Sequence, residues 1–160
     1  MKVLAFLQNM WVNDPEGVKR MLARHDDDKV LQARVRRRLI HYALFAGCLT
    51  GRRLKAALGE EWCSKIIWEE GSPEIGGKAS SFFPPDIKHM KGHIEAEKPD
   101  AIILFGAANA AVCPLLMGTI SGPILTAPHP AARGAHIPGQ LKMIADRLNA
   151  WTMPYAKTSP

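Results

Sequence analysis

The chain has 160 residues, 47% of them apolar and 22% charged, which is enough for one domain with a sizeable core and too short to expect two. The apolar runs stop well short of the roughly 18 residues that a membrane span needs, and no signal-peptide pattern opens the chain. We therefore expect a cytoplasmic protein without a membrane partner. The net charge of +6 favours a polyanionic partner, most commonly nucleic acid.

Four short apolar runs alternate with segments that carry helix signals. The first run is followed by Asn13-Asp14-Pro15, a cap with proline at the first helical position. Such alternation predicts a three-layer α/β/α fold with a central four-stranded parallel sheet, in one domain over 1–151 with a C-terminal tail over 152–160. The predicted strands are 3–7, 66–68, 101–105 and 124–127, and the predicted helices are 15–24, 29–42, 52–58, 86–98, 107–116 and 140–151.

Two segments outside the predicted strands are candidates for contacts with DNA. The helix 29–42 is amphipathic, and we expect its basic face to be solvated and available to phosphates. The Gly/Ser/Pro-rich segment 71–85 is long for a plain connection, which favours a functional loop. The basic face consists of Arg34, Arg36, Arg37 and Arg38.

The three cysteines lie far apart in the sequence and form no CxxC pair. Their spacing supports neither a disulfide framework nor a zinc or iron–sulfur site, and buried free thiols are the expected state. We therefore expect no metal and no other cofactor. The cysteines are Cys48, Cys63 and Cys113.

Two motifs follow the first and last predicted strands, Gln8-Asn9-Met10-Trp11 and His129-Pro130-Ala131-Ala132-Arg133-Gly134. Between them stand a Phe-x-Gly loop that leads into a helix, at 45–52, and a Lys-Pro-Asp-x-Ile strand motif, at 98–108. In this order the four motifs resemble those of the uracil-DNA glycosylase superfamily. The resemblance implies a uracil-DNA glycosylase-like fold and a monomeric DNA N-glycosylase, which flips a damaged or modified pyrimidine out of DNA and hydrolyses its glycosidic bond.

The resemblance assigns the chemistry to Asn9 and His129. His129 would stabilise the leaving base, because an imidazole N–H can donate to a base oxygen as negative charge accumulates there. Asn9 stands where many members have a water-activating aspartate, and an amide can orient a water but cannot take its proton. The mismatch- and thymine-specific branch also has asparagine there, so slow glycosylase activity and loss of catalysis are both compatible with Asn9.

Four residues are expected to bind the flipped base. Gln8 offers amide groups, Trp11 stands where a tyrosine excludes the thymine methyl, and Phe45 corresponds to the aromatic on which the base stacks. Glu69 lies where the family has an asparagine that pairs with the uracil edge. Because an ionised glutamate only accepts hydrogen bonds, we expect a cytosine-type or otherwise modified base rather than plain uracil. The alternative for Glu69 is a solvated loop carboxylate in a slightly shifted register.

Contacts with the duplex are expected from four further residues. Arg133, in the loop after His129, would enter the duplex where the base leaves. Arg52, Ser80 and Ser81 are candidate phosphate ligands. DNA repair and phage defence are both compatible with such an enzyme. Two other classes of function stay open, namely a catalytically silent DNA-binding or damage-recognition module of the same fold and a hydrolase that acts on nucleosides or nucleotides.

Overall fold

Four parallel strands form the centre of the computed structural model, which describes residues 1–8, 10–78 and 80–152, with Trp11 and Thr152 described by their backbone alone. The strand order is β3-β1-β5-β6, and every pair of neighbours is parallel. The predicted α/β class with a central four-stranded parallel sheet is confirmed. The strands are β1 (Val3–Leu7), β3 (Ile67–Glu70), β5 (Ala101–Phe105) and β6 (Ile124–Ala127), and a separate parallel pair joins β2 (Met10–Trp11) to β4 (Ile75–Gly76).

Helices connect the strands, and in the described part of the chain none is long and apolar enough to cross a membrane. Aspartate side chains cap three of them, as predicted at Asp14, whose Oδ1 accepts a hydrogen bond from the Gly17 backbone N–H at 2.8 Å. The helices are α1 (Pro15–Ala23), α2 (Lys29–Phe45), α3 (Leu49–Lys65), α4 (Ile87–Glu97), α5 (Ala107–Ala111), α6 (Cys113–Leu116) and α7 (Ile137–Thr152).

Several predicted elements have different bounds in the structure, among them the following three. The predicted helix 107–116 is divided into α5 and α6, because Pro114 lacks an N–H and its ring would clash with the carbonyl of Ala110 in a continuous helix. The predicted helix end at Gly59 is a kink with φ of 82°, and helical backbone continues beyond it. Strand β3 extends to Glu70, because Glu69 and Glu70 still pair with Phe6 and Leu7 of β1.

The sheet separates two hydrophobic clusters, because successive residues of a strand face opposite sides. Ala5, Leu7 and Trp68 pack on the side covered by α2, α3 and α7. Leu4 and Phe6 pack on the other side, against α4. The same alternation separates the neighbouring carboxyls at the end of β3, so that Glu70 shares the side of Trp68 and Glu69 lies on the side of α4.

Glu69 is fully buried and is held by a network of charged and polar side chains. Its Oε1 lies 2.6 Å from Arg37 Nε and 3.3 Å from His93 Nδ1. Arg37 also contacts the Glu97 carboxylate, Nη2 to Oε1, at 2.6 Å. Burial raises the pKa of Glu69, although the Arg37 hydrogen bond opposes this rise. Arg37 therefore supplies the positive charge that makes the burial of Glu69 tolerable.

The expectation of a solvated basic face on α2 is wrong for two of its four arginines. Arg37 is engaged with Glu69 and Glu97, and Arg36 donates hydrogen bonds to the backbone carbonyls of Ser72 and Pro73 at 3.1 and 3.0 Å. These bonds attach α2 to the turn after β3. Arg34 and Arg38 are the exposed members.

We expect Arg37→Met to lower the free energy of unfolding by about 3 kcal/mol, the lower end of the range for breaking a buried ion pair, because Arg37 is itself 29% exposed. Urea denaturation at neutral pH measures this loss. Arg38→Met, at the neighbouring exposed position, should change stability by no more than about 0.5 kcal/mol. Adding Glu69→Gln to Arg37→Met should recover part of the loss. Equal effects of the two single substitutions would contradict a structural role for Arg37.

Candidate functional site

A cavity of about 710 Å³ opens at the carboxyl edge of the central sheet. Gln8 follows β1, Glu70 ends β3 and His129 follows β6, and all three residues line this cavity. Ligand sites in open parallel sheets form at this edge. Most of the remaining wall is apolar, and its larger side chains are Leu7, Met10, Val12, Val18, Leu39, Ile40 and Leu44.

His129 lies half-buried in the cavity wall, and its surroundings determine the protonation and the tautomer of its imidazole ring. Its Nδ1 accepts a hydrogen bond from the Ala131 backbone N–H at 3.2 Å. Burial lowers the pKa of His129 below its ordinary value, which favours the neutral ring. Because Nδ1 is an acceptor, the single proton of the neutral ring resides on Nε2. His129 is therefore a neutral hydrogen-bond donor through Nε2.

Arg53 of α3 holds the loop that carries His129. Its Nη1 donates to the backbone carbonyls of Pro130 and Ala132 at 2.8 and 2.7 Å, and the Ala132 N–H donates to the His129 carbonyl at 2.8 Å. These bonds fix both the turn and its distance from α3. The sequence gives no separate signal for this role, because Arg53 is one of many basic residues and its acceptors are backbone carbonyls 77 and 79 residues away.

Glu70 is the carboxyl of β3 that lines the cavity. It is 4% exposed, and its Oε2 has no hydrogen-bond partner among the described residues. Burial raises the pKa of Glu70 to about 8, a rise that the attraction of Arg36 opposes and the charge of Glu69 reinforces. At neutral pH the side chain is therefore predominantly a neutral carboxylic acid, with one O–H donor and one carbonyl acceptor.

The base-reading position expected at Glu69 requires correction. Glu69 is not among the residues that line the cavity, and its Oε1 is engaged by Arg37. The physical reason is strand alternation: one residue along β3 reverses the side to which a side chain points. Glu69 is also not a solvated loop carboxylate, because it is fully buried within a strand. Glu70 takes the place at the cavity.

Asn109 of α5 joins the carboxyl ends of β1 and β5 beneath the site. Its Nδ2 donates to the carbonyls of Phe6, Leu7 and Phe105 at 3.1, 2.8 and 3.1 Å, and the residue is almost fully buried. Gly71 packs so closely that a Cβ at this position would overlap Asn109 Oδ1. A polar residue placed shortly after a buried strand was the available sequence signal for this role.

The aromatic residue expected for stacking does not line the cavity. Phe45 is half-buried and packs on His41 and Trp68, with ring centroids 4.8 and 5.8 Å away, and it is not among the cavity-lining residues. Tyr42, about one helical turn earlier on α2, lines the cavity and is 73% exposed. Asn9 and the side chain of Trp11 lie outside the part of the chain that the structure describes.

The residues expected to contact DNA are distributed around the cavity. Ser81 is half-buried and lines it, so the predicted functional loop 71–85 does contribute to the site. Arg52, Ser80 and Arg133 are exposed. Arg52 precedes the half-buried Arg53, and Arg133 follows the loop segment that Arg53 holds. All three are accessible to a ligand larger than the cavity.

Comparison of the chain with protein-family models, with curated proteins and with solved structures found no significant match. Among residues 1–8, 10–78 and 80–152, no group of three or more His, Cys, Asp or Glu side chains could hold a metal ion.

We expect Arg53→Gln to speed amide hydrogen exchange in the loop 128–132, because the substitution removes the guanidinium that bonds to the Pro130 and Ala132 carbonyls. Exchange mass spectrometry on the free protein measures this change. Arg52→Gln is the matched control, since Arg52 is adjacent and exposed. Unchanged loop protection in Arg53→Gln, or the same loss in both variants, would show that Arg53 does not hold the loop.

Proposed function

We propose that this protein is a DNA N-glycosylase, which binds a pyrimidine flipped out of DNA in the cavity and hydrolyses its glycosidic bond. The observation that carries the proposal is the placement of Gln8, Glu70 and His129 in one cavity at the carboxyl edge of the sheet. The four ordered motifs and the net charge of +6 support it. On this proposal the protein works in the cytoplasm as a monomer without a cofactor.

The dimensions and chemistry of the cavity suit a base and its sugar. Its volume of about 710 Å³ lies within the roughly 300–1,000 Å³ that small-molecule sites occupy. The apolar wall can cover the faces of a flat ring, and the few polar groups can bond to its edge. Tyr42, which lines the cavity and is exposed, supplies an aromatic surface at the rim where a base leaves the stack.

His129 supplies the electrostatic part of the reaction. When the glycosidic bond breaks, the bonding electrons go to the base, and negative charge collects on its oxygen atoms. A neutral Nε2–H already positioned in a desolvated wall stabilises this charge without reorganisation. Arg53 restricts the movement of the loop and therefore of the donor. The water that adds to the sugar carbon is assigned to Asn9 on the resemblance alone.

The exposed basic residues provide a path for the DNA backbone. Arg34, Arg38 and Tyr42 are spaced four residues apart on α2, so they lie along one face of the helix. All three are exposed, and Tyr42 reaches the cavity. Phosphates bound at Arg34 and Arg38 would therefore lead a strand toward the cavity, while Arg52 in the first turn of α3 and Arg133 in the loop after His129 contact the duplex.

The test is a glycosylase assay on DNA duplexes and single strands that carry uracil, mismatched thymine, or cytosine and uracil modified at the five position, with alkali cleavage to reveal abasic sites. We expect cleavage of at least one of these, lowered by about 100-fold or more in His129→Ala, the range seen when one such donor is removed. His136→Ala, at an exposed position outside the cavity wall, is the control and should retain activity.

Two results would contradict the proposal. Full activity of His129→Ala would remove His129 from the reaction. The absence of abasic product from every substrate, together with tight and salt-sensitive DNA binding, would instead favour a catalytically silent DNA-binding module, because salt dependence reports phosphate contacts and not chemistry.

A further inference from the structure

We propose that Glu70 binds its ligand as a neutral carboxylic acid, and that it selects pyrimidines whose edge presents unsubstituted N3 beside an oxygen or amino group at position 4. This inference deepens the proposed glycosylase and rests on it for the kind of ligand. It concerns recognition alone, so it can be tested without any cleavage of DNA.

The position of Glu70 carries the inference. Its side chain is 4% exposed, it lines the cavity, and Oε2 has no partner among the described residues. A buried polar atom without a partner costs free energy, and a bound ligand edge would remove that cost. The backbone beneath it is held in place, because the Gly71 N–H donates to the Leu7 carbonyl at 2.6 Å and Asn109 fixes the end of β1.

Burial favours the protonated form of Glu70, and the attraction of Arg36 opposes it only in part. Arg36 is the nearby cation, but its Nη atoms donate to the Ser72 and Pro73 carbonyls, and among the described residues no ion pair reaches the Glu70 carboxyl. The neighbouring Glu69 carboxyl reinforces the rise of the Glu70 pKa, and burial lowers the pKa of His89 to about 4, so that this ring is neutral. The titratable and charged groups around Glu70 are Arg36 and Tyr42 of α2, Cys48 before α3, Glu69 of β3, His89 of α4 and His129 after β6.

A neutral carboxylic acid and a carboxylate recognise different edges. The acid has one donor and one acceptor, and its proton can reside on either oxygen. It can therefore accept from N3–H while it donates to O4 of uracil, or donate to N3 while it accepts from the amino group of cytosine. The ionised form only accepts, so it leaves O4 or N3 facing a negative charge. A neutral Glu70 is therefore compatible with uracil. The expectation that plain uracil is disfavoured depended on assigning the base edge to an ionised Glu69.

The experiment is an NMR titration of the full chain with free uracil, cytosine and 3-methyluracil, followed by the amide shifts of Gln8 and Gly71. We expect uracil and cytosine to bind at about pH 6.5 and 3-methyluracil not to bind, because its methyl group replaces the N3–H. At about pH 9, roughly one tenth of Glu70 remains protonated, so the affinity for uracil should fall about tenfold.

Two variants separate recognition from a purely structural role. Glu70→Gln keeps one donor and one acceptor at all pH values, so it should bind uracil and lack the tenfold fall; any decrease that remains reports the ionisation of uracil itself. Glu70→Leu should lose binding of uracil and cytosine while keeping the amide spectrum of a folded protein.

Several results would overturn the inference. They are equal binding of 3-methyluracil and uracil, the same pH profile in the unsubstituted chain and in Glu70→Gln, or no binding of any free base. The outcome is independent of the glycosylase test. Base binding that depends on Glu70, without abasic product from any DNA, would support this inference and reject the glycosylase. Abasic product, with base binding that does not depend on Glu70, would support the glycosylase and reject this inference.

Discussion

The burial of two consecutive carboxyls at the end of β3 is the constraint on which the site depends. Buried carboxyls must be paired or neutral, since an isolated charge away from water is too costly. Strand alternation sends Glu69 and Glu70 to opposite sides of the sheet, and the two sides meet the requirement differently. Glu69 is paired with Arg37, whereas Glu70 remains without an ion-pair partner among the described residues and holds its proton. The end of β3 therefore contributes Glu69 to an ion pair with α2 and Glu70 to the lining of the cavity.

The rest of the carboxyl edge is organised around backbone carbonyls. Asn109 binds those of β1 and β5, Arg53 binds those of the His129 loop, and Arg36 binds those of the turn after Glu70. Side chains that satisfy carbonyls in this way fix loops that have little secondary structure of their own. A neutral donor and a neutral acid then face a largely apolar cavity, where hydrogen bonds are stronger than in water. Such an edge can bind a polar base without bringing a full charge to it.

The sequence predicted the elements whose signals are local. The four strands, their parallel sheet and the cap at Asp14 follow from apolar runs and capping chemistry. Features that depend on partners far away in the sequence were not predicted. A shift of one residue exchanged Glu69 for Glu70, the inward placement of Arg36 and Arg37 required knowledge of β3 and its following turn, and the role of Arg53 required the loop after β6. The position of the cavity was predictable because its motifs follow strands, and Gln8 and His129 of its polar lining were predicted with it, whereas Glu70 was not.

A direct measurement of the Glu70 carboxyl tests this arrangement most simply. Carbon-13 NMR of the side-chain carboxyls, followed from about pH 3 to about pH 10 and assigned with Glu70→Gln, reports the titration of Glu70 in the folded chain. We expect its inflection near pH 8, because burial and the neighbouring Glu69 favour the neutral form. An inflection near the ordinary value of 4.5 would show an ionised carboxylate and would contradict the neutral acid on which the proposed recognition of a base depends.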